Sequence, residues 1–243
     1  MEVMSKTFAS CLLVLAACGS SSPLDPGSGN STGTGTGTLL LAGTASARAT
    51  LTNTSNPTDF TTDFAIHLSL ADQAVTTGTV TITSTSGKTA LVFTGAEATG
   101  TWQGTAPDYD EVYQLDVTSG SDAISGVRVD GPDIHTFSAP TAGASVDATQ
   151  AMTVTWDRSD TADSATLRVG DGGGNSDLAI TDSGSYTVAP GSLKTNKQQA
   201  ETNLLRLTRS NQVVPTGAVA GSQLTVSIEN DLDVVALPDP AGN

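Results

Sequence analysis

The chain is expected to be all-β, with two tandem antiparallel β-sandwiches following a disordered tether. Three observations predict this. Apolar residues recur at every second position in short segments with Thr between them, the pattern of strands buried on one face. Charged residues make up only 14% of the chain, and Gly, Ser and Thr supply the polarity, which suits strands and turns better than surface helices. The hydrophobic share of 37%, with 25 Gly among 243 residues, is that of a globular chain, so disorder throughout is excluded.

Residues 1–17 read as a secretory signal peptide. Lys6 gives a positive amino-terminal region, and residues 8–17 form an apolar run far shorter than the ~20 residues of a membrane-spanning helix. Met4 is a second candidate start, which would drop Glu2 from the leader. The apolar run ends in Leu15-Ala16-Ala17-Cys18. This resembles the lipobox of bacterial lipoproteins, and the resemblance implies cleavage before Cys18, a diacylglyceryl group on its thiol and an acylated amino terminus. Two or more acyl chains anchor stably where one is marginal. Gly19, standing where an Asp favours inner-membrane retention, implies the outer membrane of a bacterial cell envelope. Cysteine usage agrees: Cys11 lies in the leader, so the mature chain keeps Cys18 alone and has no disulfide framework or cysteine metal site.

The lipidated Cys and a Ser/Gly/Thr-rich linker are expected to occupy residues 18–38, ending in Thr32-Gly33-Thr34-Gly35-Thr36-Gly37-Thr38. Such a segment has too little apolar surface to order itself, and would span roughly 25 Å r.m.s. and at most about 70 Å. Lys+Arg number 10 against Asp+Glu 25, a net charge of -15. That charge excludes nucleic acid as a partner and would hold the folded part off an anionic lipid surface.

Residues 39–131 form the first expected sandwich. Phe64, Ile66, Leu68 and Leu70 alternate with Ala65, His67 and Ser69; Val80 and Ile82 alternate with Thr79, Thr81 and Thr83; Tyr113, Leu115 and Val117 alternate with Gln114 and Asp116. Turn residues at Asn56-Pro57, Ser86-Gly87 and Ser119-Gly120 separate such runs. Asp130-Gly131-Pro132-Asp133 breaks the series. A second sandwich is expected over 132–238, with strands at 134–138, 152–156, 165–169, 178–188, 204–208 and 224–228, and a tail at 239–243. Leu193, Ala200, Leu204 and Leu207 fall at helical spacing, but the Thr and Asn content and a turn at Thr208-Arg209-Ser210-Asn211 favour a loop followed by a strand. Each half is about 100 residues, enough to close one two-sheet core.

In the second half, Met152, Val154 and Trp156 point one way. A strand at 165–169, Ser185-Tyr186-Thr187-Val188 and a Pro190-Gly191-Ser192-Leu193 corner follow. This order resembles fibronectin type III and related immunoglobulin-like modules, in which a buried Trp packs beneath the opposite sheet. Tyr113-Gln114-Leu115 in the first half resembles the tyrosine corner of that group, with Leu115 where antibody-type domains carry a Cys. The second half departs from the pattern, having Leu204 or Leu205 in place of that Tyr.

Chemistry is sparse. His67 is read as outward-facing and His135 as lying beside the break, both on the surface. Asp182-Ser183-Gly184 lacks the surrounding glycines of a serine-protease motif. Residues 170–177 fail as a phosphate loop, because Asn175 stands where the third Gly should be and no helix follows. Calcium is the better reading there, since Asp171, Asn175 and Asp177 place hard oxygen ligands on one loop; Asp108, Asp110 and Glu111 offer a similar set. The competing reading of both is an ordinary acidic turn, and no cofactor is assigned. Trp102, within Gly100-Thr101-Trp102-Gln103-Gly104, is the candidate exposed ring for stacking on a glycan, while Trp156, Phe64, Phe93 and Tyr113 are assigned to cores. The expected role is non-enzymatic: a lipid-anchored envelope protein, held to the membrane by its amino-terminal lipid, that presents sandwich modules to a protein or glycan for binding, adhesion or structural support. Alternatives are a carboxylate-based hydrolase of envelope glycans and an accessory subunit of an outer-membrane assembly, joined through an unpaired sheet edge.

Overall fold

The computed structural model describes residues 24–97, 100–170 and 176–239. In chain order the strands of the first part are β1 (Ser31–Gly35), β2 (Leu39–Ala49), β3 (Phe60–Leu70), β4 (Gln73–Ala74), β5 (Thr79–Ser84), β6 (Gly87–Ala90), β7 (Val92–Thr94), β8 (Thr101–Pro107), β9 (Val112–Ser119) and β10 (Asp122–Asp130). Those that follow are β11 (Thr136–Ala139), β12 (Ser145–Val146), β13 (Met152–Asp157), β14 (Ser164–Val169), β15 (Ser176–Ile180), β16 (Ser185–Val188), β17 (Glu201–Val213) and β18 (Gln223–Ala236). One 3-10 turn, Pro57–Asp59, is the only helical element among the described residues. The chain is thus an all-β protein of packed sheets.

Three sheets build it. One has the order β1-β10-β9-β5-β6, a second β11-β13-β16, and a third runs β15-β14-β17-β18-β2-β3-β8-β7. The first sheet packs on the β18-β2-β3-β8 part of the third around Leu41, Ile66, Leu115, Val117 and Ile124. The second packs on the β14-β17-β18 part around Val154, Trp156, Leu167, Leu205 and Leu232. The expected alternation is present: β2 buries Leu39, Leu41, Ala45 and Ala47, with Ala42 and Thr44 exposed between them and Arg48 exposed after. Tyr113 makes the corner its sequence context suggests. Its hydroxyl accepts the Asp110 N–H at 3.0 Å, and it lies 3.1 Å from the Thr62 hydroxyl, which itself donates to the Asp108 carbonyl.

Part of the stretch expected to be tether is strand. β1 pairs antiparallel with β10, Thr32 opposite Val127 and Thr34 opposite Ser125. The Thr-Gly repeat has a strand's period of two, and its glycines permit an approach no larger residue could make. Gly33 has φ +65°, and a Cβ there would strike the Ser125 carbonyl and Val127. The repeat reads as flexible in isolation, yet its backbone groups complete the ladder along β10.

The C-terminal hairpin departs furthest from expectation. Residues 208–211 are not a turn: β17 continues through them to Val213 and pairs with β18 along its whole length. β18 also pairs in parallel with β2, Leu224 opposite Gly43 and Ile228 opposite Ala47. Leu224, Val226, Ile228 and Val213 therefore enter the first core, while Leu205, Leu207, Leu232, Val234 and Ala236 enter the second. The break at residues 130–133 marks where the chain leaves the first sandwich, and the last two strands return to it. A smaller correction concerns 178–188, which is two strands in different sheets: β15 pairs with β14 and β16 with β13.

Candidate functional site

Cys18, Asp171 and Asn175 lie outside the described residues. Asp177 is described, and its carboxylate is paired: Arg168 donates to both oxygens, Nε at 2.6 Å and Nη2 at 2.8 Å. The pair belongs to a charged row on the outer face of the long sheet. There Arg206 makes the same two-pronged contact with Asp231 at 2.8 and 2.9 Å and lies 3.2 Å from Glu229. The Arg168–Asp177 pair is exposed and adds little to stability, but it explains why Asp177 serves sheet pairing. Asp110 is likewise occupied, accepting from the Thr85 and Ser86 hydroxyls and the Ser86 N–H. Among the described residues, no group of three or more His, Cys, Asp or Glu is placed to hold a metal ion.

Trp102 is not an exposed platform. It is 6% exposed, its indole N–H donates to the Val75 carbonyl at 2.9 Å, and its ring meets Phe93 edge-on at 5.8 Å. The alternation of β8 places it on the inward side, where β3 pairs it with Ile66. His135 is also not on the surface: it is fully buried, with Nε2 3.1 Å from the Leu207 carbonyl. Burial, and then the nearby Arg209 charge, push its pKa down to about 3, so the ring stays neutral. His67 is half-buried, with Nδ1 3.3 Å from the Gly100 carbonyl.

The polar groups that the structure does bring together lie where the two cores meet. On β17 the inward phase runs Leu205, Leu207, Arg209, Asn211, Val213, and on β18 it runs Ile228, Asn230, Leu232, so each strand places polar residues between two apolar sets. Arg209 is fully buried and faces Asp182, Nε at 3.0 Å and Nη2 at 2.9 Å from Oδ2. It also donates to the Asp133 carbonyl at 2.7 Å and to the Asp160 carbonyl. Asp182 receives the Trp156 indole N–H at 2.9 Å and the Ala162 N–H at 2.8 Å. Burial alone would raise the Asp182 carboxyl, but the Ala162 amide, Arg209 and Trp156 outweigh it and hold the carboxyl below its ordinary value.

Side-chain amides complete the seam. Asn230 donates to the Thr54 and His135 carbonyls, both at 2.8 Å. Asn53 holds the Phe137 backbone at both N–H and carbonyl, and Asn211 donates to the Asp130 carbonyl. Beside this seam lies an open polar cleft of about 190 Å³, lined among others by Asn30, Asp130, Asp133, Asp160 and Asn211. The N-terminal segment is pinned at its rim. Gly29 N–H donates to the Asp130 carboxylate at 3.1 Å, and Arg128 donates to the Gly29 and Ser28 carbonyls at 2.8 and 3.1 Å.

The sequence pattern places Asp182 only in an incomplete protease motif and Arg209 only in an expected turn, and it does not mark Asn230 at all. A signal existed: each Arg or Asn falls at the inward phase of an apolar alternation. Comparison of the chain with protein-family models and with curated proteins finds no match to either.

Proposed function

We propose that this is a lipid-anchored protein of a bacterial cell envelope, held at Cys18, probing its surroundings through a rigid pair of immunoglobulin-like, fibronectin type III-like β-sandwiches. Its role is binding, adhesion or structural support rather than catalysis. The observation that carries this reading is Leu15-Ala16-Ala17-Cys18 at the end of a short apolar run. Gly19 favours the outer membrane.

The fold adds two supporting points. Because β1 begins at Ser31, only the twelve residues 19–30 separate the anchor from the first strand, a reach of at most about 40 Å rather than 70 Å. The chain also enters the folded part at the seam, through Gly29 and Asp130, so the anchor pulls on the seam instead of on the tip of either sandwich. With both Trp rings buried, partner contact falls to loops and sheet edges.

Replacing Cys18 by Ala in the full chain is expected to move the protein from the membrane fraction to the soluble fraction. Retention of the variant in membranes after a high-salt wash would overturn the reading.

A further inference from the structure

A row of free N–H and C=O groups along an outer strand templates the addition of another strand, and natural sheets blunt such edges. Among the described residues, four of the six outer strands of the three sheets are blunted. Beside β1, Thr216 donates its N–H to the Thr32 carbonyl and its hydroxyl to the Gly33 carbonyl. On β11 the Asn53 side chain bonds both the N–H and the carbonyl of Phe137, and a register shift follows before Ala139. β6 carries exposed Lys88, and β7 is only three residues long. The other two outer strands are β15 and β16, joined by residues 181–184. Neither has a Lys, an Arg, a Pro or a register shift. The one charge, Asp177, is neutralised by Arg168 within its own sheet.

The ladder fixes which backbone groups of β15 face away from the sheet. Successive residues of a strand direct their N–H and C=O to opposite sides. Gly170 N–H bonds the Leu204 carbonyl on β17, so Arg168 and Thr166 also face β17, while Val169, Leu167 and Ala165 face β15. Their partners Ser176, Leu178 and Ile180 spend their backbone groups on β14, which leaves Asp177 and Ala179 turned outward. Both are exposed, and among the described residues no backbone group bonds them from that side. Leu178 and Ile180 are partly buried against the second core.

We propose that β15 is a self-pairing edge, through which two copies of this chain join antiparallel about a two-fold axis at Leu178. This rests on the binding role proposed above and names its partner. The occupant follows from the register. Outward residues alone can exchange hydrogen bonds, which allows an axis at Asp177, Leu178 or Ala179. An axis at Asp177 sets Asp directly against Asp, and one at Ala179 places Asp177 opposite Thr181, beyond the end of the strand. An axis at Leu178 uses all five residues and sets Asp177 against Ala179 of the other copy. It also sets Leu178 against Leu178, joining the rims of the two second cores. A two-fold contact is closed, so it yields a dimer and not a fibre. Two copies of net charge -15 repel each other, and a five-residue edge is a small contact beside the roughly 1,200–2,000 Å² of stable complexes. The association is therefore weak, and attachment of copies to one membrane raises their local concentration.

The test follows the full chain carrying Cys18→Ala by sedimentation velocity, up to about 1 mM protein in about 0.5 M salt, where distant charges are screened. A monomer–dimer equilibrium is expected, and it should weaken as salt is lowered. Adding Ala179→Pro removes an outward N–H while sparing the bonds to β14, so the dimer should be lost and a cooperative melt retained. Ala179→Asp sets like charges opposite each other in both Asp177 pairs and should weaken the dimer by about two- to thirtyfold, whereas Ala179→Lys, facing Asp177, should tighten it. A Cys18→Ala chain that stays monomeric at the highest concentration would overturn the proposal. So would a dimer that survives Ala179→Pro, or equal shifts with Ala179→Asp and Ala179→Lys. Every arm lacks the Cys18 thiol, so these outcomes are independent of membrane attachment.

Discussion

Replacing Arg209 by Ala is expected to lower the unfolding free energy by about 3–5 kcal/mol, the usual cost of leaving one partner of a buried ion pair alone. The change strands the Asp182 carboxylate, which is nearly fully buried, and removes the donor that serves the Asp133 and Asp160 carbonyls. Arg209→Lys should recover only part of the loss, because one ammonium cannot reach three acceptors with the guanidinium's planar fork. Substituting both partners by apolar residues should not be neutral here, although buried pairs elsewhere often tolerate it. The Trp156 indole and Ala162 amide both donate to Asp182 and would lose their acceptor. Since the Asp182 carboxyl is held below its ordinary value, its contribution is present above that value and disappears as pH falls through the folded-state value. Urea unfolding of the Ala variant at neutral pH measures the effect, and a change under 1 kcal/mol would contradict it.

Ending the chain after Ser222 is expected to unfold both halves. The deletion removes β18, the central strand of the long sheet, and with it Leu224, Val226 and Ile228 from the first core and Leu232, Val234 and Ala236 from the second. At roughly 1.5–3 kcal/mol for each larger buried side chain, the loss matches or exceeds the roughly 5–15 kcal/mol by which a domain is stable. A fragment ending at residue 131 should fail for the same reason, because β2 loses its parallel neighbour and the Leu41 and Ile66 region its cover. Collapse of amide dispersion in NMR spectra would report both outcomes. Cooperative melting of the 24–131 fragment would show that the first sandwich stands alone.

Local features of this fold could be read in the residues. Alternation in β3, β5 and β9 announces half-buried strands, and Tyr113 announces its corner, because both depend on neighbours in sequence. The break at Asp130-Gly131-Pro132-Asp133 is visible for the same reason. What alternation does not state is the surface against which a buried face packs. The pairing of β18 with β2 joins residues some 180 positions apart, and no local pattern encodes it. Thr208-Arg209-Ser210-Asn211 resembles a turn because it is polar, yet it is polar because the hairpin crosses from one core to the other there. Glu229-Asn230-Asp231 on the opposite strand is polar for the same reason. Trp102 misleads because its flanking Gly, Thr and Gln suggest exposure, while its phase on β8 is inward. β1 escapes notice because its glycines, chosen for close approach to β10, are also the composition of a linker.

The proposed attachment at Cys18 can be read directly from the chemistry of the mature amino terminus. Mass spectrometry of the amino-terminal peptide from detergent-extracted protein is expected to show a chain beginning at Cys18, with a diacylglyceryl thioether and an acylated amine. A mature chain beginning elsewhere, or one carrying Cys18 as a free thiol, would contradict the anchored reading.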